Sequence, residues 1–304
     1  MNNPVGGSMW KNGLLLALVS LSSIALQAQI QKTLTLEDNQ DFDKVIFKLN
    51  ATNGQCLIKP NLEPNLINIQ SISENISTPE FEEKIFNRTK EVNIRLDQPQ
   101  NTSLSTTLSK RLFSSQSFND YTWKVYLSRL KPMDLDLNYA VGDTYIDLSD
   151  LPIERMKMKT GSANVKVNYT DGLGNQLEMD TFLIKVDMGT FEAKNLHLSK
   201  ANNIIADVGF GKMRMDFEDA IYLNTDVNAS VGAGKLEIIL PSANIPVKIN
   251  INDSPLCNIK LPEGFLLTDN NIYLSPDFDE NQLNHINFNV DVAVGNIIFK
   301  TNQP

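Results

Sequence analysis

The chain has 304 residues, of which 41% are hydrophobic, and a formal net charge of -9 at pH 7. This length gives room for one to three domains. The apolar content is enough for a sizeable core, which excludes a chain that is disordered throughout. The acidic balance excludes the basic footprint that binding to nucleic acid requires. The charge therefore indicates a soluble protein with no nucleic-acid partner.

Residues 1–28 have the pattern of a secretory signal peptide. Lys11 precedes an apolar run from Leu14 to Leu26, and Ala28 is a small residue suited to cleavage before Gln29. The run is short for a membrane span and is interrupted by serines, which favours a cleaved signal over an uncleaved anchor. No later segment is long and apolar enough to cross a bilayer. We expect export to the periplasm, the outer surface or the medium, with no membrane span after signal cleavage.

Residues 29–120 predict a smaller N-terminal β segment. Short alternating strands are expected at residues 45–49, 56–60, 66–69 and 91–96. Thr78, followed by Pro79 and several glutamates, predicts a short helix over residues 78–90. From residue 98 to residue 119 the composition shifts to Ser, Thr, Asn and Gln, which indicates a polar loop at a domain boundary.

Residues 121–304 carry a repeat that is punctuated by glycine. The predicted structural turns are Gly142, Gly161, Gly189, Gly209, Gly211, Gly232, Gly234 and Gly295. Each closes one apolar/polar alternation and opens the next, as residues 156–160 and 164–168 do around Gly161. Most intervals are close to the circumference of one coil of a β-solenoid. The sequence therefore predicts an all-β fold, with a single-stranded-type β-solenoid over residues 121–304.

The region after Cys257 has to close this stack. It contains short strands at residues 261–267 and 272–274, then a clean alternation at 286–292 that continues to Phe299. An open end of a solenoid exposes strand edges and needs a cap. The strand that ends at Phe299 is expected to be either the last rung or that cap.

The repeated region resembles the bacterial toast-rack family of putative adhesins. The resemblance rests on Gly142-Asp143, followed by Asp147-Leu148-Ser149-Asp150-Leu151, and on Gly232-Ala233-Gly234 before Leu240-Pro241, and covers residues 124–299. It implies a short β-solenoid with Gly-Xaa-Gly rungs, as in the domain of a membrane protein that restrains a cell-wall-stress sensor kinase. This chain has Gly161-Ser162-Ala163 where Gly-Xaa-Gly is usual, and it lacks the membrane helices of that regulator. The family supplies no catalytic residues.

Groups that could carry chemistry are few. His197 and His285 each fall alone in an expected strand, without a partner at metal-ligand spacing. The sequence has no Gly-Xaa-Ser-Xaa-Gly, no His-Glu-Xaa-Xaa-His and no phosphate-binding loop. We therefore expect no catalytic, cofactor-binding or metal-binding residue, and no cofactor.

Charged clusters are the other candidates. The carboxylates fall into two groups that lack the spacing of a calcium loop: Asp134, Asp136, Asp143, Asp147 and Asp150, and then Asp277, Asp279 and Glu280. An enzyme that cuts acidic polysaccharide would need basic groups aligned with carboxylates on one outer face. The bases of the solenoid lie among many acids, which argues against a groove for a polyanion: Lys157, Lys159, Lys166, Lys185 and Arg214.

Sulfur-containing residues have structural interpretations. Cys56 and Cys257 either form a disulfide in an oxidising compartment or remain two separately buried thiols. Six methionines fall largely at alternating positions, which predicts that they lie inside the rungs: Met156, Met158, Met179, Met188, Met213 and Met215.

The expected function is that of an exported, non-enzymatic envelope or cell-surface protein whose rigid rungs present a face for an unknown envelope protein or glycan, as an adhesin does. A periplasmic sensor or regulator of envelope stress is the alternative. A β-helix enzyme that acts on polysaccharide comes third.

Overall fold

A computed structural model describes residues 32–53, 55–71, 79–96, 122–170, 172–219, 221, 223–242, 244–268, 271–276, 278–279 and 281–301. The expected signal peptide and the polar loop at residues 98–119 lie outside these ranges. Within them, 17 strands belong to one sheet, and the only helical element is a 3-10 turn at Leu196–Ser199. The predicted all-β fold is therefore confirmed.

Six long strands form the centre of the molecule. They are β8 (Met133–Asp147), β9 (Ile153–Asn168), β10 (Met179–Ala193), β11 (Ala201–Asp216), β12 (Thr225–Ile239) and β17 (Ile286–Lys300). Each pairs in parallel with the next in that order. A loop, such as residues 148–152 between β8 and β9, returns the chain to the start of the following strand. One coil is thus one bent strand plus a loop, which confirms the predicted solenoid.

Each long strand bends in its middle around the core. In β10 the side chains of Ile184 and Val186 are buried, and so are those of Phe191 and Ala193 after the bend. Residues five apart in a straight strand point to opposite faces, so the strand must turn near Gly189 to bury both sets. We call the part before the bend the first arm and the part after it the second arm. The sequence predicted separate strands on either side of each glycine turn. That prediction is wrong, because each strand continues through the bend and stays hydrogen-bonded to its neighbours on both sides of it.

The outermost strands of the stack are not the first and last in the sequence. At one end β2 (Lys44–Asn53) and β3 (Cys56–Pro60) form a rung between β8 and a rung made of β6 (Thr89–Leu96) and β7 (Trp123–Leu127). At the other end β17 lies between β12 and a rung made of β13 (Val247–Asp253) and β14 (Cys257–Lys260). The strand that ends at Phe299 is therefore an internal rung, so the expectation that it would be either the last rung or the cap is wrong.

Antiparallel strands border the parallel stack at both ends. β4 (Ile67–Ser71) pairs with β7, β1 (Lys32–Leu36) with β4, and β5 (Glu80–Phe86) with β6. At the opposite end β16 (Ile272–Leu274) pairs with β13 and β15 (Leu266–Leu267) with β16. These short strands satisfy backbone groups that the last parallel rungs would otherwise leave open, which is the role expected of a cap.

The helix predicted over residues 78–90 is wrong. Residues 80–96 form the β5–β6 hairpin, which turns at Asn87 and Arg88 with φ of 47° and 55°. Two successive residues with positive φ are the geometry of the two-residue hairpin turn that matches strand twist. All seven side chains of β5 are exposed, so no buried stripe exists there to stabilise a helix.

One hydrophobic cluster runs through the described rungs. It contains residues of the N-terminal segment, such as Phe47 and Trp123, together with residues of the repeated region. Phe288 contacts Phe217 and Phe299 edge-on, with ring centroids 5.4 and 5.7 Å apart. Strands on both sides of residue 120 share this core and the sheet, and the division into two domains stays a prediction.

Candidate binding face

The first arms of the rungs align their outward side chains into three columns, which together we call the outer face. The near column, closest to the bend, reads Arg95, Asn50, Asn138, Lys159, Lys185, Asp207, Ser230, Asp291 and Asn252 from the β6 rung to the β13 rung. The middle column reads Asn93, Lys48, Asp136, Lys157, Leu183, Ile205, Asn228, Asn289 and Asn250. The far column reads Glu91, Ile46, Asp134, Arg155, Thr181, Asn203, Asp226, Asn287 and Lys248.

Two depressions follow the near column. The first, about 770 Å³, is lined by Arg95, Asn138, Lys159 and Lys185, with Gly161 at the bend. The second, about 340 Å³, is lined by side chains of the later rungs, among them Asp207, Ser230, Asn252, Asn289 and Asp291. The parallel register places both depressions on one side of the molecule, so a ligand that follows the stack would contact both.

Charge is sorted along the near column. Its cations, Arg95, Lys159 and Lys185, lie on the earlier rungs, and its carboxylates, Asp207 and Asp291, lie on the later ones. Lys185 Nζ lies 3.1 Å from the Asp207 carboxylate where the two signs meet, and this hydrogen bond and charge raise the pKa of Lys185. Lys159 has no ion pair among the residues that the structure describes. The earlier rungs therefore carry a group of cations on this net acidic chain, with the exposed carboxylate of Asp187 beside Lys185 in the same depression.

Amide side chains stiffen the later rungs of the outer face. Asn250 donates to Asn289 at 3.4 Å, and Asn289 donates to Asn228 at 3.3 Å. In the near column Asn252 donates to Asp291 at 3.1 Å, and Ser230 donates to Asp207 at 3.0 Å. Each in-register pair fixes the rotamers of both side chains before any ligand arrives, which lowers the entropy cost of binding.

The bases noted in the sequence divide between the two arms. Lys157, Lys159 and Lys185 lie on the outer face, whereas Lys166 and Arg214 share a column on the second arm.

On the second arm the Glu237 carboxylate, whose side chain is 8% exposed, contacts Arg214, Lys235 and, at 3.1 Å, Lys300. Burial raises the pKa of Glu237, but hydrogen bonds and charges from Lys235 and Lys300 outweigh burial and hold it below its usual value. This cluster ties three rungs together.

The predicted glycines line the bend beside the outer face. Gly142, Ala163, Gly189, Gly211, Gly234 and Gly295 are in register and form one column. The five glycines of this column have φ between 129° and 145°, in the region that favours glycine. A second column holds Gly161, Gly209 and Gly232, where a Cβ would lie 2.5 to 2.7 Å from the carbonyl oxygen of the preceding rung. All eight glycines lie inside strands, at the bend.

The carboxylates of the first predicted cluster do not converge on a point. Asp134 contacts Arg155 at 2.6 Å and Asp136 contacts Lys157 at 2.9 Å. The other three are engaged as follows: Asp143 accepts from Asn164, Asp147 from Ser149 and Thr170, and Asp150 from Arg129. Asp277 and Glu280 lie outside the described residues, and Asp279 accepts from Asn281 in a turn.

Neither histidine lies in a strand, which corrects that expectation. His197 belongs to the 3-10 turn, and His285 immediately precedes β17. Burial lowers the pKa of His197, and the charges of Asp219, Asp216 and Glu218 oppose that shift. Across the described ranges, no group of three or more His, Cys, Asp or Glu side chains could hold a metal ion.

The cysteines do not form a disulfide. Cys56 lies in the β3 rung and Cys257 in the β14 rung, seven rungs apart. At about 4.8 Å per rung this is ~34 Å, far beyond the reach of a disulfide. Cys56 is buried, and burial raises the pKa of its thiol to about 12.

An exposed apolar ridge at the corner of the bend was not foreseen from the sequence. It contains Met188, Phe210 and Val294, which are 57%, 63% and 47% exposed, with Leu256 beside them. The prediction that the methionines lie inside the rungs is wrong for Met188, while the other five are buried. Met188 follows Ile184 and Val186 at the same two-residue spacing, so the sequence pattern places it with these buried residues. It faces outward instead, because the strand bends here and the buried face changes.

Three solved structures resemble the chain. The first is "a putative cell adhesion protein" from Clostridium sporogenes, with 21% identity, 90% of this chain and 99% of that chain covered, and a TM-score of 0.41. The second is "a putative adhesin" from Bacteroides fragilis, with 11% identity, 89% of this chain and 96% of that chain covered, and a TM-score of 0.36. The third is "a putative adhesin" from Parabacteroides merdae, with 11% identity, 90% of this chain and 93% of that chain covered, and a TM-score of 0.29.

No curated protein matches the sequence. In the part of the chain that the structure describes, no helix is long and apolar enough to span a membrane. Residues 24–183 match the family described as the N-terminal domain of toast_rack, DUF2154. This match covers more than half of the 304 residues. The chain belongs to the toast-rack family.

Proposed function

We propose that this protein is exported and acts without catalysis at the cell envelope or cell surface, where its outer face binds a protein or a glycan in the manner of an adhesin. The observation that carries the proposal is the outer face itself, with two depressions along nine rungs and charge sorted by sign. The signal-peptide pattern of residues 1–28 supports export.

The arrangement of side chains on the outer face suits binding of a partner better than catalysis. Parallel backbone pairing and hydrogen bonds between neighbouring side chains hold its groups in place, as at Asn228, Asn289 and Asn250. Its carboxylates are paired with neighbouring cations or amides instead of facing a shared substrate position, which a general acid and base would require. A preorganised polar surface gains affinity because little side-chain freedom is lost on binding.

The composition of the outer face favours a protein over a glycan. Its 27 positions include no aromatic residue on which the apolar side of a sugar ring could stack. Charged groups of both signs are instead the largest class of side chain on it, and complementary charge is what selects and orients a protein partner.

Binding of the purified protein, without residues 1–28, to cell envelopes tests the proposal. The envelopes should come in parallel from source cells that carry the gene for this protein and from a deletion strain that lacks it, so that binding to a second copy is distinguished from binding to another partner. Lys159→Glu should weaken binding at least several-fold, whereas Lys212→Glu, an exposed lysine on the second arm, should not. Equal binding by both variants, or recovery of the native protein from the cytoplasm after fractionation, would contradict the proposal.

A further inference from the structure

We propose that the partner of the outer face is a second copy of this chain, bound with the two stacks antiparallel. This inference rests on the proposed function, because it names the partner of the same face. It is carried by the order of the charges in the three columns, which is complementary to itself when the order of the rungs is reversed.

The symmetry follows from the columns. A two-fold axis parallel to the strands, placed between the β10 and β11 rungs, makes each column face the same column of the second copy in reverse order. The β10 rung then faces β11, β9 faces β12, β8 faces β17, and the β2 rung faces β13. Such an interface is isologous, so each contact occurs twice.

Opposite charges meet in this arrangement. Lys185 faces Asp207 of the second copy in the near column, and Arg155 faces Asp226 of the second copy in the far column. In the middle column Leu183 faces Ile205 of the second copy, which places an apolar pair beside the axis. Ile205 is 37% exposed and Leu183 is partly buried, so both have surface to cover.

The remaining positions also lack a conflict. Lys159 faces Ser230, and Lys157 faces Asn228. The pairs between β8 and β17 place Asp134, Asp136 and Asn138 opposite Asn287, Asn289 and Asp291. No like charges meet at any of the paired positions, although both signs are abundant on the face.

Charge excludes the registers next to this one, and overlap selects it over a more distant register. Moving the axis by half a rung onto β11 would place Asp207 against Asp207 of the second copy. Moving it onto β10 would place Lys185 against Lys185. Like charges that meet directly across an interface cost several kcal/mol. The arrangement with the axis between these two rungs avoids both conflicts. An axis between the β8 and β9 rungs also avoids like charges, but it overlaps only six rungs instead of eight.

The area is adequate for a specific dimer. The first arm spans about six residues, or ~20 Å, and eight overlapping rungs span ~36 Å. The face would thus bury about 700 Å² on each copy, within the usual range for a stable protein–protein interface. Exposed charge pairs at its rim should make the association weaken as salt is raised.

Complementary charge exchange tests this arrangement by sedimentation equilibrium. The native protein without residues 1–28 should dimerise reversibly, and Lys185→Asp or Asp207→Lys should each raise Kd about tenfold or more. An equimolar mixture of the two variants should recover a mixed dimer, because Asp at 185 then faces Lys at 207 and Lys185 faces Asp207. The internal Lys185–Asp207 pair stays broken in both chains, so recovery reports only the contact between copies.

Three further measurements complete the test. If either variant of the first pair folds poorly, Arg155→Asp and Asp226→Arg allow the same charge exchange at the far column. Lys212→Asp, on the second arm, is the control and should leave the Kd of the dimer unchanged. A native protein that stays monomeric, or a mixture no tighter than its separate components, would overturn the proposal. A monomer that still binds envelopes from the deletion strain would overturn self-pairing alone and leave the proposed function standing.

Discussion

Gly234 lies in register with Gly211 on the neighbouring rung, and a Cβ on Gly234 would lie 1.8 Å from the carbonyl oxygen of Gly211. Its φ of 145° is also in the region that side chains disfavour. Two requirements for glycine, backbone angle and close approach, therefore coincide at one position. The same pair of requirements recurs at Gly189, Gly211 and Gly295, where the Cβ would lie 1.8 to 2.0 Å from the preceding rung.

Gly234→Ala should lower the free energy of unfolding by about 3 kcal/mol or more, since the rungs must separate or the backbone must leave its native angle. Gly232→Val should also lower the melting temperature, because a Cβ there would lie 2.5 Å from the carbonyl oxygen of Gly209. Gly172→Ala is the matched control. Gly172 has φ of 68° but nothing within 4 Å of its Cβ position, so only the angular cost of about 1 kcal/mol should appear. Equal urea midpoints for Gly234→Ala and Gly172→Ala would contradict the close approach.

Glu237→Gln should destabilise the protein at neutral pH and reduce its sensitivity to acid. The folded-state pKa of Glu237 lies below its unfolded value, so its contribution is full above the unfolded pKa and is lost as the pH falls through the folded pKa. Neutralising the carboxylate also removes the negative charge that Arg214, Lys235 and Lys300 all contact. We expect a loss of about 1–2 kcal/mol at pH 7, which shrinks as the pH falls below the unfolded-state pKa of 4.5 and through the lower folded-state pKa.

Urea unfolding from pH 7 down to pH 3 measures this effect. Glu263→Gln, at an exposed turn residue, serves as the control and should follow the native protein throughout. A constant difference between Glu237→Gln and the native protein at every pH would show that the cluster does not hold the pKa of this carboxylate low.

The alternation of side chains and the recurrence of glycine are local signals, and for that reason the solenoid could be predicted from the sequence. Met156 and Met158, for example, are buried in the core as that alternation predicts. What the sequence did not indicate was that the strand continues through the bend. Ladder hydrogen bonds from both neighbouring rungs hold it there, and they are not a local property. Two other wrong predictions also come from pairing between strands. Met188 is exposed because the paired strand bends there, and residues 80–96 form a hairpin because β5 pairs with β6.

The outer face was beyond prediction for a related reason. Lys185 and Asp207 are 22 residues apart, and only the register of β10 with β11 makes them neighbours. The insertion of β17 between β12 and β13 brings Asp291 and Asn289 into the same columns. Nothing in the sequence near residue 286 indicates that this strand returns inside the stack. The individual charges were recognised, but their alignment depends on rung order.

One thiol per chain should react with Ellman's reagent in the native protein and two in urea. Cys56 is fully buried, and its thiol pKa of about 12 keeps it protonated, whereas Cys257 is partly exposed on β14. Cys257→Ser should abolish the native reaction and leave one thiol in urea. A native protein that shows no thiol in urea without reductant would instead contain the disulfide.

Asn175→Ala should cost about 2–4 kcal/mol although no strand residue is altered. The Asn175 side chain is fully buried, accepts from the backbone N–H of Ile153 at 3.0 Å and donates to the carbonyl oxygens of Ile153 and Leu177 at 2.6 and 2.8 Å. Its amide thus replaces a strand residue beside β9, and the substitution would leave buried backbone groups without a partner. Asn289→Ala removes an exposed amide of the outer-face ladder and should change stability by less than about 0.5 kcal/mol. Urea unfolding of the two variants side by side measures the contrast, and equal losses would mean that the loop does not depend on the Asn175 amide.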